Sequence, residues 1–373
     1  MVKRKKSFSL HIEKPTFIVN RERAIKNIAR MADKAQKSGV LFRPHFKTHK
    51  STRIGEWFRN HGVECITVSS VDMAIYFSKN GWRDITVAFP VNILEIEKIN
   101  KIAQKITLNL LVESKETVLF LKENLKSRAN VWIKIDVGYQ RAGISWDNFN
   151  AFVPISRELS KAAHLSFQGI LTYSGHSYNA KSKKEIIEIY IDTLFKMKEV
   201  QKRLKQENIQ EVKLSVGDTP VCSIIDDFSD VDEIRPGNFV FYDIMQLDIG
   251  SCTEEDIAVS VACPVVAKHE ERNEIVVYGG AVHLSKDSIV QKDGARIFGY
   301  IAFPDKNCWG PLIKNSYVSY LSQEHGIVKT DRKTFDRIKV GDILMVLPVH
   351  SCLTADLMKR YITLDGEIIE AAA

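Results

Sequence analysis

From Val40 to Ile234 the chain alternates short apolar runs with longer stretches of helical spacing, and this alternation narrows the possible folds more than any other feature. Strand-like runs fall at Val40–Phe42, Cys65–Val68, Ile85–Phe89, Leu108–Val112, Val131–Ile135, Ser166–Thr172, Glu211–Leu214 and Val231–Ile234. They are rich in Val and Ile and apolar on both faces, as parallel strands covered on both sides must be. Between them, Ile93–Ile106, Lys115–Leu125 and Lys184–Leu204 carry helical periodicity. Eight strands with intervening helices predict a closed (β/α)8 TIM barrel. A doubly wound open sheet is the competitor, but no G-x-G-x-x-G follows an early strand. Ahead of the barrel, Arg21–Lys37 reads as an amphipathic helix with Ala24, Ile28, Met31 and Ala35 on one face, closed by Ser38 and Gly39.

Past Met245 the helical spacing stops. Ile257–Ala267 and Glu274–Tyr278 flank a polar turn at Glu270–Asn273, a hairpin signal, and further strand-like pieces follow at Tyr317–Leu321, Gly326–Val328 and Ile343–Leu347. The expected organisation is a barrel over residues 14–245 and a C-terminal mostly-β domain over 246–373. An extended segment at 7–13 needs pairing partners and is expected to join the second domain.

A chain of 373 residues can bury one large core and a smaller one. No apolar run is long enough to span a bilayer, and the basic start Met1–Lys6 is not followed by the apolar stretch of a signal peptide. The six cysteines are scattered without C-x-x-C pairing, which suits reduced thiols and a cytoplasmic location. The net charge of +7 is spread over helix surfaces such as Lys181–Lys205 rather than gathered in a stripe with aromatics. Neither a nucleic-acid nor a membrane partner is expected.

In a barrel of this kind the chemistry sits on the loops after the strands. The first strand empties into Arg43-Pro44-His45-Phe46-Lys47-Thr48-His49-Lys50, an unusually basic turn, and Lys47 is the candidate Schiff-base lysine. The loops after strands seven and eight are the usual phosphate site of the fold. Ser215, Gly217, Thr219, Gly237 and Asn238 have suitable chemistry for such a cradle. A lysine facing a phosphate cradle is the arrangement pyridoxal 5′-phosphate requires. Arg141 could reach a ring oxygen or a carboxylate, or simply pair with Asp136; Tyr173 could stack on the ring or sit in the core. In the second domain, His350 and Cys352 lie two residues apart. If that stretch is extended, both side chains share a face and make half of a zinc site. His283, His325 and Gln323 form further polar clusters of undecided role.

Arg43–Lys50, together with Pro348-Val349-His350-Ser351-Cys352-Leu353-Thr354, resembles the metal-activated D-serine dehydratase and D-threonine aldolase family, within the alanine-racemase-like, fold-type III pyridoxal phosphate enzymes. Asp136–Gly143, Ser215–Pro220, Arg235–Tyr242 and Ser322–Gly326 fit the same pattern, so the resemblance spans nearly the whole chain. It implies that Lys47 holds pyridoxal 5′-phosphate covalently and that Tyr173, Tyr178, Thr219, Gly237 and Asn238 contact it, with Arg141 near the ring oxygen. It implies that His350 and Cys352 ligate zinc, Zn2+, and that the protein is a homodimer. The implied substrate is a small D-amino acid with a β-hydroxyl. Family dehydratases tend to carry His-x-Cys and aldolases His-x-Asp, so Cys352 points to a D-serine dehydratase-like lyase. A D-threonine aldolase-like activity, a racemase and a pyridoxal phosphate carrier without turnover are the alternatives. Gln323 departs from the pattern, standing where an acidic residue is expected.

Overall fold

The structure, a computed structural model, describes residues 10–305 and 308–372. The chain divides into two compact units: Ala29–Lys47 with Gly55–Gly237, and the N-terminal segment through Ile28 with Thr48–Ile54 and everything from Asn238 onward.

The first unit is an eight-stranded parallel barrel. Its strands are Leu41–Phe42, Cys65–Val68, Asp84–Pro90, Thr107–Val112, Ala129–Asp136, Leu165–Leu171, Lys213–Val216 and Glu233–Ile234. Strand one pairs with strand eight, and the rest pair in sequence order down to strand two. The ring closes where His45 bridges Thr67 and the Thr67 amide donates to the Pro44 carbonyl at 2.9 Å. Closure removes the sheet edges that an open sheet would have to protect. The intervening helices start where the sequence supplies a cap: Ser70, Ser114 and Ser182 accept from the amides of Met73, Thr117 and Glu185. The leading helix, Arg21–Ser38, buries Ala24, Ile28, Met31 and Ala35 and ends at Gly39, whose φ of 69° suits a glycine.

Polar side chains link the barrel strands laterally. The Arg43 guanidinium donates to Glu233 at 2.6 Å and Asp84 at 2.5 Å; Asn109 donates to Asp84 at 2.8 Å, Asn130 to Asn109 at 3.0 Å and Gln168 to Asn130 at 3.2 Å. On the other side of Arg43 the series continues through Glu233 to Ser215 and Arg235. Charges this deeply buried persist because each meets an opposite charge or a hydrogen-bond partner.

The second unit is built on antiparallel strands. Glu274–Tyr278, His325–Lys329, Tyr317–Leu321, Gly299–Ala302, Ile343–Pro348 and Val259–His269 pair in that order, and Val259–His269 pairs back to Glu274–Tyr278, so six strands form a ring. Thr16–Val19 extends it, lying antiparallel to Val259–His269 and parallel to Arg360–Thr363, which pairs in turn with Ile368–Glu370. The expected extended segment at 7–13 lies partly outside the described residues, and the strand that joins this sheet is Thr16–Val19. Its residues Phe17, Ile18 and Val19 are fully buried. Among the described residues no helix is long and apolar enough to cross a membrane.

Candidate active site

The turn carrying Lys47 is held from both sides. After Phe42 the chain enters a 3-10 turn at Phe46–Thr48. The Phe46 ring packs among Phe58, Phe77 and Trp82 with centroids 4.9 to 5.1 Å away, and it is fully buried. The Lys47 amide donates to His45 Nδ1 at 3.3 Å. Lys47, half-buried, thus follows a tightly fixed residue and is backed by a histidine ring. Arg43 takes no part in presenting it, since its guanidinium is committed to Glu233 and Asp84.

The loop after strand five is organised by Asp136, whose carboxylate accepts from the amides of Gly138, Tyr139 and Gln140 at 2.9 to 3.1 Å. Gly143, at φ 113°, returns the chain over this turn, and a Cβ there would lie 2.7 Å from the Asp136 nitrogen. With Asp136 so occupied, Arg141 forms no ion pair with it. Its guanidinium instead lies 4.7 Å from the centroid of the Tyr173 ring and 5.1 Å from that of Tyr139. Tyr173 also hydrogen-bonds Tyr178, and burial pushes its phenol up, keeping it neutral.

Beyond strand seven the expectations divide. Ser215 is not on the loop: the strand runs to Val216, and Ser215 is paired on both sides, to Leu171 and Glu233. Its hydroxyl donates to Glu233 at 2.6 Å and accepts from Arg235 Nε at 2.6 Å, so it belongs to the scaffold rather than to a phosphate cradle. Gly217 lies against the next strand; a Cβ would stand 2.8 Å from the Arg235 backbone. Asp218 caps the short helix Thr219–Ile224 by accepting from Val221 N. Thr219 is 1% exposed and its hydroxyl has no partner, the kind of orphaned donor that a phosphate oxygen would satisfy. Gly237 is buried where the barrel unit ends. On the Thr219 hydroxyl, the barrel loops fit a phosphate monoester.

Sequence reasoning missed two buried cations in this unit. Arg235 donates to Ser215 and, at 2.5 Å, to the Thr172 carbonyl. Lys134, on strand five, is lowered to about 7 by burial and by the nearby charges of Arg235 and Arg141. Lys134 reads in sequence as a member of an apolar run and Arg235 as the first residue of the loop after strand eight, and neither pattern reports the burial of the charge.

The second unit assembles its own cluster. His350 has extended backbone, but the extended stretch does not continue to Cys352. Pro348 ends its strand, and Ser351–Met358 forms a helix, so His350 precedes that helix and Cys352 lies in its first turn. The two side chains still meet, through a hydrogen bond. His350 Nδ1 pairs with Asp287 at 2.5 Å, which fixes the ring. Burial opposes charging of His350, but the bonds to Asp287 and Cys352 outweigh it and raise its pKa to about 11. Asn238, expected in the phosphate cradle, donates instead to Asp243 at 2.6 Å, Ser351 at 3.1 Å and the Cys352 sulfur at 3.5 Å. What it can offer an anion is therefore its backbone rather than its amide donor. The Thr48 hydroxyl lies 3.3 Å from Cys352 Sγ, and Thr48 directly follows Lys47 in the chain. His49 is fully buried, accepts from Ser51 N at 3.1 Å and is lowered to about 3 by burial. It is a neutral structural histidine. His325 donates its amide to the Ser322 hydroxyl at 3.3 Å in a turn, and His283 Nε2 stands 3.8 Å from Glu324.

Among the described residues no group of three or more His, Cys, Asp or Glu side chains is placed to hold a metal. The His350–Cys352 pair supplies one nitrogen and one sulfur donor with a carboxylate behind the imidazole. That donor chemistry fits zinc, with the remaining positions filled from elsewhere.

Residues 19–244 match the family model "Alanine racemase, N-terminal domain", and residues 258–364 match "Putative serine dehydratase domain". The chain is 30% identical to a D-serine dehydratase of Dictyostelium discoideum, over 92% of each protein. It is 26% identical to a D-threo-3-hydroxyaspartate dehydratase of Delftia sp. strain HT23, over 96% of each. The solved structure of that dehydratase superimposes with a TM-score of 0.90 at 25% identity, covering 98% of this chain and 99% of the other; a variant of it has been solved in a metal-free form. A 3-hydroxy-D-aspartate aldolase of Paracoccus denitrificans is 24% identical, over 94% of this chain and 88% of its own length. With both halves matched and the barrel, its loops and the second unit all in place, the chain belongs to the alanine-racemase-like, fold-type III pyridoxal phosphate family, in the branch of lyases that carries a serine dehydratase domain.

Proposed function

We propose that the protein is a pyridoxal phosphate- and zinc-dependent lyase that dehydrates a D-β-hydroxy amino acid, with D-serine as the simplest substrate and a keto acid and ammonia as products. The observation that carries the dehydratase reading is the imidazole–thiol pair of His350 and Cys352, oriented by Asp287. A racemase has no use for such a pair. An aldolase would work from the same parts, and Cys352 favours elimination through the family pattern. The homodimeric state and the cytoplasmic location are part of the same proposal and rest on family resemblance.

Each residue has a definite task. Gly217 and Thr219 bind the cofactor's phosphate, Thr219 with the hydroxyl that is otherwise unpartnered. Tyr173, with Arg141 lying over its ring, borders the space for the cofactor ring, and Tyr178 steadies Tyr173. Pyridoxal phosphate supplies an aldehyde for the amine of the substrate and a ring that spreads the charge left at Cα. Lys47 holds the cofactor at rest, and its freed amine takes the Cα proton. His350 and Cys352 would hold zinc, whose Lewis acidity assists departure of a hydroxyl.

The decisive test is spectroscopic and then catalytic. The purified protein should absorb in the violet, and Lys47→Ala should abolish that band; a wild type with no such band would sink the cofactor assignment. Supplied with zinc, the protein should convert D-serine to keto acid, whereas glycine released from D-threonine would favour the aldolase. Full activity after thorough chelation would remove the metal from the reaction.

A further inference from the structure

Asp218 stands where a carboxylate is costly. It is 4% exposed, at the start of the loop that carries Thr219. Its Oδ1 takes both of its side-chain hydrogen bonds, from Ser177 Oγ and Val221 N, each at 2.8 Å. Oδ2 accepts none among the described residues. The adjacent Thr219 hydroxyl is equally buried and also has no partner. The scaffold, which satisfies Arg43, Glu233 and Ser215, thus leaves the buried Thr219 hydroxyl without a partner, next in the chain to a carboxylate that uses only one of its oxygens. Leaving a buried polar atom unpaired is costly, so the protein keeps the Thr219 hydroxyl at a cost that a ligand can repay.

Resting on the pyridoxal phosphate reading above, we propose that Asp218 is a proton-carrying member of the phosphate cradle: when neutral, its Oδ2–H donates to the phosphate beside Thr219, and when ionised it repels it. No covalent step is involved; one proton stays on Oδ2 and one hydrogen bond forms. The groups facing Asp218 do not supply an alternative charge switch. Tyr173, from the loop after strand six, and Cys222, on the helix that Asp218 caps, are both pushed up by burial and stay neutral. Ser177 is a hydroxyl donor, and Arg235, from the eighth-strand side, carries a positive charge that opposes but does not cancel the burial. The balance raises Asp218 to about 7. A neighbouring phosphate, being anionic, raises it further. The sign follows: phosphate affinity is full while Asp218 is protonated, below its raised pKa, and declines as pH climbs above it.

The probe is pyridoxine 5′-phosphate, which has no aldehyde and cannot condense with Lys47. Binding to the full-length apoprotein is measured from about pH 6.5 to about pH 8.5. The wild type should lose ~tenfold or more in affinity over that range relative to Asp218→Asn, which keeps the cap but cannot ionise. Ionisation of the ligand itself affects both proteins alike, and pyridoxine without the phosphate should show no difference between them. Equal pH dependence in the two proteins would overturn the inference. Should the variant not fold, calorimetry of the wild type in two buffers near pH 8 should show proton uptake on binding of the phosphate ester and none with pyridoxine; no uptake would overturn it as well. Failure here is separable from failure of the cofactor reading, because that is judged by the Lys47-dependent absorbance of pyridoxal phosphate itself.

Discussion

Arg43 and Thr219 are both buried polar residues of one barrel, and they are treated in opposite ways. Arg43 is 4% exposed and surrounded by acceptors, with Glu233 on one side and Asp84 on the other. Thr219 is 1% exposed and its hydroxyl meets nothing. The first pattern belongs to a scaffold that must balance its own charges. The second belongs to a place that waits for a group from outside. A basic run does not by itself say which of its members is free for chemistry: Arg43 is spent on the scaffold, whereas the Thr219 hydroxyl, in an unremarkable Gly-Asp-Thr turn, is not.

This contrast can be broken by experiment, beginning with the largest effect. Arg43→Ala leaves Asp84 without its cation and Glu233 with only Arg235, 3.6 Å away, and should destabilise the protein by about 3–5 kcal/mol, seen as a lower denaturation midpoint or as failure to accumulate folded protein. A change under ~1 kcal/mol would show that the interior network carries little of the fold. His49 comes next. Its folded pKa lies at about 3, below the ordinary 6.5, so the unfolded chain binds a proton that the folded one refuses. Stability from this site is complete above 6.5 and drains away as pH falls towards 3, by up to about 1 kcal/mol per pH unit. His49→Gln should flatten that acid slope in urea melts; an unchanged slope would place the titration elsewhere. Ser215→Ala removes two buried bonds and should cost about 1–3 kcal/mol while leaving pyridoxal phosphate affinity nearly intact. Thr219→Val should do the reverse. Stability should move by less than ~1 kcal/mol, and affinity for the phosphate should drop by roughly tenfold, because a hydrogen bond to a charged group is lost. If Ser215 and Thr219 behaved alike, the division between scaffold and waiting site would fail.

Much of the architecture was legible in the sequence because it depends on local periodicity. The apolar runs mark all eight barrel strands, and the four apolar positions of the first helix are all buried. The Lys47 turn stood out because a strand ended in it. What was not legible depends on partners far apart in the chain. Arg43 meets Glu233 across 190 positions and Asp84 across 41, and no pattern within one strand reports either. Asp287 orients His350 from 63 positions away and sits in a stretch with no regular spacing. Ser215 was misplaced because strand seven runs past Leu214 to Val216, and its side chain is consumed inside the sheet. The His350–Cys352 pair was expected for the wrong geometric reason. Pro348 was the available signal that the strand had ended, and the pair meets because His350, as the N-cap, keeps extended backbone while Cys352 lies in the first turn of the helix.

The strand Thr16–Val19 has a consequence for how the chain is made. It lies between Val259–His269 and Arg360–Thr363, so both of its neighbours are made long after it. Beside it, Arg21 is tied to Glu367, 346 positions later. Until those residues emerge, an apolar strand waits with an open edge while the segments of the barrel are synthesised behind it. An exposed edge of this kind invites pairing with other chains. The barrel can complete its ring from residues 41–234, but the second unit is sealed only when Arg360–Thr363 pairs back to Thr16–Val19. Trimming a few residues after Arg360 should therefore produce aggregation during synthesis rather than a mildly weakened protein.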